Sequence, residues 1–237
     1  MRTIIVTGAS SGIGLSTCKR LLDEGHSVIG LARDFSKWPV SSKAFHQITV
    51  DLSDLDSLPD FLQDLLKEHK AIDAVVCCAG KGQFGSLEEF SFEQIRSLMD
   101  LNFSSQAYIA KAVLPLMKRR GQGDFIFIGS EAGLTGSRKG AVYCASKFAL
   151  RGFAQALRDE CSKSHVRVSV INPGMVKTAF FDQLDFLPGD DAANYIEPDD
   201  VAAAVSLVLS SRQGTVFDEI NLSPRKKVVQ FRKQTKE

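Results

Sequence analysis

Thr7-Gly8-Ala9-Ser10-Ser11-Gly12-Ile13-Gly14 decides how this chain folds. The residues just before it, Ile4–Val6, are apolar and β-branched and read as a buried strand. The residues just after it, Ile13–Glu24, read as a helix that ends near Gly25. A glycine turn between a first strand and a first helix has a physical use. Gly8 permits a tight turn, Gly12 lets the backbone approach a diphosphate, and Gly14 lets the helix pack close to the strand. The helix N-terminus offers unpaired N–H groups and a positive dipole end to an anion. Ser10 and Ser11 add hydroxyl donors. The same glycines without a flanking strand and helix would be a plain turn.

Outward from this turn, short apolar strands alternate with helices. Strands are expected at Ser27–Ala32, His46–Val50, Ala71–Cys78, Asp124–Gly129, Val166–Ile171 and Glu219–Leu222. Helices are expected at Ser53–Glu68, at Ala141–Cys161, at Asp199–Leu209, and over Phe92–Leu116, which should stop near Pro115. Parallel strands need crossover connections, so this alternation predicts an α/β fold, a doubly wound parallel sheet with helices on both faces. The strands are continuously apolar rather than alternating, as burial on both faces requires. Neither an internal repeat nor a linker interrupts residues 1–237, which read as one domain.

Composition narrows the function classes. A net charge of +1 points to neither nucleic acid nor a charged membrane surface as a main partner. No apolar stretch approaches a membrane span, and the N-terminal run is too short for a signal-peptide core. The cysteines, Cys18, Cys77, Cys78, Cys144 and Cys161, are odd in number and form no C-x-x-C pair. That argues against a disulfide framework and against a zinc site, and fits reduced thiols in a cytoplasmic protein.

The strongest chemical signal is Ser130, after the expected fifth strand, followed by Tyr143-Cys144-Ala145-Ser146-Lys147. Four residues apart on a helix, Tyr143 and Lys147 share one face. Together with Thr-Gly-x-x-x-Gly-Ile-Gly at residues 7–14 and Ala79-Gly80 after the fourth strand, they make the chain resemble the short-chain dehydrogenase/reductase family. The resemblance covers about residues 3–222 and implies hydride transfer between a nicotinamide and a carbonyl or alcohol. A free phenol has a pKa of about 10, and a nearby cation lowers it. Tyr143 is therefore the expected proton donor and Lys147 the cation that tunes it and holds the nicotinamide ribose. Ser130 should steady charge on the substrate oxygen. Asn102, by the resemblance, should support a water path to Lys147.

The resemblance also implies a cofactor site. The second strand ends Leu31-Ala32-Arg33-Asp34. An acid at that strand end suits the ribose of NAD, whereas an arginine suits a 2′-phosphate, so Arg33 favours NADP(H) over NAD(H). Asp34 would serve the ribose if the register slipped. Asp51 and Leu52 match the positions that contact adenine. Pro173, Gly174, Val176 and Thr178 match the segment that passes the nicotinamide. Cys77-Cys78 stands where the family has an Asn pair, and both thiols read as small buried apolar groups.

Three features leave alternatives open. Residues 178–198, with Phe180, Phe181 and Phe186, read as a substrate flap or as a surface loop with an apolar anchor. Glu131 reads as a solvated acid or as a pocket residue. Residues 223–237 read as a basic, solvated tail or as a docking segment for a partner subunit or an anionic ligand. The helices carrying Asn102 and Tyr143 resemble those that pair in family homo-dimers and homo-tetramers. The expected partner is a small carbonyl or alcohol, and the competing function is that of an NADP(H)-binding sensor or scaffold.

Overall fold

The computed structural model describes residues 1–36 and 42–232. Its strands are β1 (Thr3–Thr7), β2 (Ser27–Ala32), β3 (Phe45–Thr49), β4 (Ala74–Cys77), β5 (Gly123–Ile128), β6 (Val166–Pro173), β7 (Phe186–Pro188), β8 (Glu219–Leu222) and β9 (Val229–Phe231). Its α-helices are α1 (Gly12–Asp23), α2 (Leu58–Glu68), α3 (Phe92–Met99), α4 (Ser105–Arg120), α5 (Ala141–Cys161) and α6 (Pro198–Ser210).

Ile4, Ile5 and Val6 are fully buried in β1. Side chains alternate across a strand. Ile5 accordingly joins an apolar core with α2, α4 and α5, while Ile4 and Val6 join a second core with α1 and α6. Two cores, one on each face, explain why the strands are apolar throughout. The sheet has the order β3-β2-β1-β4-β5-β6-β8 and every pairing in it is parallel. It is a Rossmann-like, doubly wound fold in a single domain, as the alternation predicts. The chain winds outward from β1 to β3 and then returns beside β1 as β4. A ligand crevice is expected at the carboxyl ends on either side of that reversal.

The opposite edge of the sheet is held by charge. Asp124, 2% exposed at the start of β5, pairs with Arg2 and accepts from Arg167 Nε at 2.5 Å. Arg167 also donates to Ser211 Oγ at 2.8 Å, tying the end of α6 to β6.

Several elements depart from the sequence expectation. The helix over Phe92–Leu116 is broken by a π-type turn, Asp100–Ser104, and resumes as α4 past Pro115 to Arg120. Pro115 removes one backbone donor, but Val113, Leu114 and Met117 keep this stretch buried against the sheet. The helix ends instead at Gly121, whose φ is 66°. The expected helix Ser53–Glu68 starts only at Leu58. Asp51 accepts from Ser53 N at 2.9 Å and Asp54 from Ser57 Oγ at 2.7 Å, which favours turns over helix. Within residues 223–232, read as a solvated tail or a docking segment, Val229–Phe231 form β9, antiparallel to β7, with Val229 and Phe231 exposed. Lys233 and Lys236 of the same basic run lie outside the described residues. No helix among the described residues is long and apolar enough to cross a membrane.

Candidate active site

The glycine turn leaves β1 at the carboxyl edge. Gly8 and Gly12 have φ of 64° and 50°, which side chains rarely adopt. A Cβ on Gly14 would lie 2.2 Å from the Gly8 carbonyl oxygen, so only glycine lets α1 start this close to the turn. The Ser11 side chain does not cap α1, so it leaves the first-turn N–H groups to other acceptors. A Cβ on Gly12 would touch Thr178 Cγ2 at 3.2 Å, which puts the turn against the segment after β6. Thr7 Oγ1 accepts from Ala79 N at 2.9 Å and binds the turn to the exit of β4. Ser10 is half-buried and Ser11 exposed.

At the end of β2, Ala32 is buried while Arg33 and Asp34 are exposed. The Asp34 carboxylate accepts from Ser36 N and Ser36 Oγ, both at 2.7 Å. Asp51 sits near enough to Arg33 to feel its charge. Its carboxyl is held below its ordinary value, first by the Ser53 hydroxyl and in smaller part by Arg33. The side chains of Leu52 and Val176 are buried in the two cores, so any contact they make with a ligand runs through backbone. Positive-φ glycines, a helix N-terminus free of its own cap and an exposed arginine beyond them suit an anionic dinucleotide with an added phosphate.

Helix α5 carries the catalytic candidates. Tyr143, Lys147, Leu150, Ala154, Leu157 and Cys161 are buried along one face at helical spacing. The turn 131–133 packs on this helix because Gly133 has no side chain; a Cβ there would stand 2.9 Å from Lys147 O. That contact brings Ser130 beside Tyr143. The Tyr143 phenol is pushed up to about 12 by burial, with a hydrogen bond from Ser130 pulling the other way. The Lys147 amine is pushed down to about 8, again by burial. Lys147 Nζ donates to Ile128 O at 3.0 Å and lies 6.0 Å from the Tyr143 ring centre. Burial is the first cause of both shifts, and it sets the phenol above its ordinary value.

Asn102 lies in the π-type turn and is fully buried. Its Nδ2 donates to Lys81 O at 3.0 Å and Ser146 Oγ at 3.1 Å, and its Oδ1 accepts from Lys81 N at 2.9 Å. Both side-chain N–H groups are thus already donated, and Asn102 braces the Gly80-Lys81 loop against α5. A Cβ on Gly80 would approach Asn102 Oδ1 at 3.2 Å. Two residues of this network escaped the sequence reading. Ser146 donates to Tyr143 O at 2.7 Å. Gln106 donates to Ala79 O at 3.1 Å and Asn102 O at 3.0 Å. Gln106 follows Asn102 by one helical turn, the signal that would have found it. Cys77 is buried and Cys78 half-buried, and burial holds both thiols well above their ordinary value.

Aromatic rings wall this site. Phe84 lies 5.0 Å from Tyr143 and Phe180 5.9 Å from it, centre to centre. Phe186 meets both Phe84, at 5.0 Å, and Phe181, at 5.9 Å. The Phe180 ring seats on Gly82, where a Cβ would stand 2.2 Å from it. Phe180 directly, and Phe186 through Phe84, therefore pack toward Tyr143, while Asp182, Gln183 and Asp185 face outward.

The model of the short chain dehydrogenase family matches residues 2–185. The chain belongs to the short-chain dehydrogenase family. Among its relatives, 3-ketodihydrosphingosine reductase of Bacteroides thetaiotaomicron is 34% identical over 179 residues, 76% of this chain and 65% of that one. Human retinol dehydrogenase 8 is 35% identical over 187 residues, 76% of this chain and 60% of that one. The matches thus span less than two thirds of both relatives. A solved structure of an alcohol dehydrogenase from the archaeon Thermococcus sibiricus, complexed with 5-hydroxy-NADP, superposes with a TM-score of 0.84 at 26% identity. That superposition covers 96% of this chain and 99% of that one. This short-chain dehydrogenase thus shares its fold with a solved alcohol dehydrogenase.

Proposed function

We propose that this short-chain dehydrogenase is an NADP(H)-dependent carbonyl reductase or alcohol dehydrogenase acting on a substrate with an apolar flank. The observation that carries the reading is the meeting of Ser130, Tyr143 and Lys147 under a wall of phenylalanine rings. Gly8, Ser10, Ser11, Gly12, Ile13 and Gly14 would hold the diphosphate, with Arg33 on the 2′-phosphate. Asp51, Leu52, Ala79 and Gly80 would flank the nucleoside, and Pro173, Gly174, Val176 and Thr178 the nicotinamide end. When bound, the nicotinamide supplies or accepts the hydride.

The chain's own residues handle the proton. In reduction, Tyr143 gives its phenolic proton to the carbonyl oxygen as that oxygen gains charge. A phenol near 12 is fully protonated at neutral pH, the form that donation requires. Ser130 hydrogen-bonds the same oxygen. Lys147, protonated below about 8, favours the phenolate that forms. Phe84, Phe180 and Phe186 exclude water and present apolar surface to the substrate. NADP(H) is favoured over NAD(H) because Arg33 is exposed at the end of β2 while the Asp34 carboxylate is engaged by Ser36. The names of the relatives, one a reductase of a keto compound and one a dehydrogenase of retinol, are of this reaction class.

NADPH consumption across aliphatic aldehydes, short ketones and aryl ketones or diketones tests the reading. Turnover concentrated in the aryl compounds supports it. Tight NADPH binding with no turnover of any carbonyl would leave a cofactor-binding sensor instead.

A further inference from the structure

Resting on the carbonyl-reductase reading, we infer that the C-terminal strap, residues 224–232, positions the aromatic lid, with Lys227 and Arg232 as its two latches. At one end, Lys227 Nζ binds Glu131 Oε2 at 2.6 Å, and Glu131 directly follows Ser130. Gly174 lies between Glu131 and the start of the strap: a Cβ there would stand 3.2 Å from Pro224 and 3.3 Å from Glu131 Oε2. At the other end, Arg232 donates to Phe181 O and Asp182 O, both at 2.9 Å. Those carbonyls stand at the end of the turn, Ala179–Phe181, that carries Phe180 and Phe181.

Between the latches the strap is stitched to the lid by backbone. Phe186, Leu187 and Pro188 pair with Phe231, Gln230 and Val229. Gly189 N donates to Val228 O at 3.1 Å and Arg232 N to Asp185 O at 2.8 Å. A cleft of about 190 Å³ is lined by Thr178, Phe181, Leu187, Pro188 and Arg232. Phe180, Phe181 and Phe186 thus depend on a segment outside the catalytic sequence motifs. Lys227 and Arg232 touch neither Tyr143 nor the glycine turn, so they act through the lid as positioning residues. A two-stranded sheet alone is marginal in water; Arg232 adds two charge-assisted bonds to the lid backbone, and the exposed Lys227–Glu131 pair fixes the strap to the turn after Ser130.

The test uses the full chain with two variants, Arg232→Met and Lys227→Glu, the second also paired with Glu131→Lys. Hydrogen exchange at the amides of residues 182–189 reads the lid itself and needs no turnover. Both single variants are expected to exchange at least fivefold faster there, with exchange in β1, β4 and β5 unchanged. For 1-phenyl-1,2-propanedione, KM is expected to rise at least fivefold in both, with kcat within twofold and the NADPH dissociation constant unmoved. The Glu131→Lys/Lys227→Glu pair is expected to recover most of the KM. Unchanged lid exchange overturns the inference, as does faster exchange with an unchanged KM or no recovery in the charge swap. If the wild-type chain reduces no carbonyl, the functional reading fails, and lid exchange alone then decides whether the strap holds the lid.

Discussion

The two ends of β5 both bury charge, and they do so in opposite ways. At its start, Asp124 is enclosed by Arg2 and Arg167, so the carboxylate has cationic partners on hand. Past its end, Lys147 is 6% exposed, yet among the described residues it forms no ion pair and donates to a neutral carbonyl, Ile128 O. A paired buried charge contributes to the fold, and breaking it leaves an orphan. An unpaired one costs stability and shifts its own titration. One edge of the sheet thus pairs its buried charge, and the other shifts the titration of its groups by burial. Such displaced groups gather where proton chemistry is done.

The contrast is open to attack from both sides. Tyr143→Phe is expected to lower kcat/KM by roughly 10²–10⁴-fold, the scale of a lost general acid, while NADPH binding, followed by fluorescence titration, stays within twofold. Near wild-type turnover would break the catalytic half of the comparison. Asp124→Ala strands Arg167 among buried neighbours and is expected to cost about 3–5 kcal/mol in urea unfolding. A loss below about 1 kcal/mol would show that the lower edge is not held by this pair.

Lys147→Met should have the opposite sign. The amine titrates near 10.5 when unfolded and near 8 when folded, so the folded chain binds fewer protons between those values. The cost of burying the ammonium is full below pH 8 and fades as pH rises toward 10.5. The variant is therefore expected to be more stable than wild type at pH 7 by about 1–3 kcal/mol, with the gain vanishing near pH 10. A variant that is destabilised at pH 7 would remove the strain assigned to this site. The smallest expected effect is at the cofactor's far end. Arg33→Ala should raise the Kd for NADPH about tenfold, on the order of 1.4 kcal/mol, and leave that for NADH nearly unchanged. Equal losses for both would place Arg33 away from the 2′-phosphate.

The two edges also differed in how far the sequence disclosed them. Burial on both faces wrote Ile4–Val6 and the other strands as apolar runs, and the glycine turn announced itself by what flanks it. Tyr143 and Lys147 were legible because four residues is a helical turn. Their displaced titration was not, since it follows from tertiary burial that no spacing encodes. Gln106 was within reach, one helical turn after Asn102, whereas the π-type turn that aims Asn102 has no composition signature. Arg232 and Lys227 looked like any basic tail. Their role depends on β9 finding β7, two strands of three residues that lie about forty positions apart. The π-type turn sits beside the Gly80-Lys81 loop, consistent with the tendency of such turns to occur at functional sites.

The most direct measurement uses NADPH carrying deuterium at both C4 positions of the nicotinamide, with wild-type protein and 1-phenyl-1,2-propanedione. The expected product is an alcohol with one deuterium on its carbinol carbon, formed by the wild type and nearly absent with Tyr143→Phe. Bound NADPH that delivers no deuterium to this or any other carbonyl would contradict the carbonyl-reductase reading.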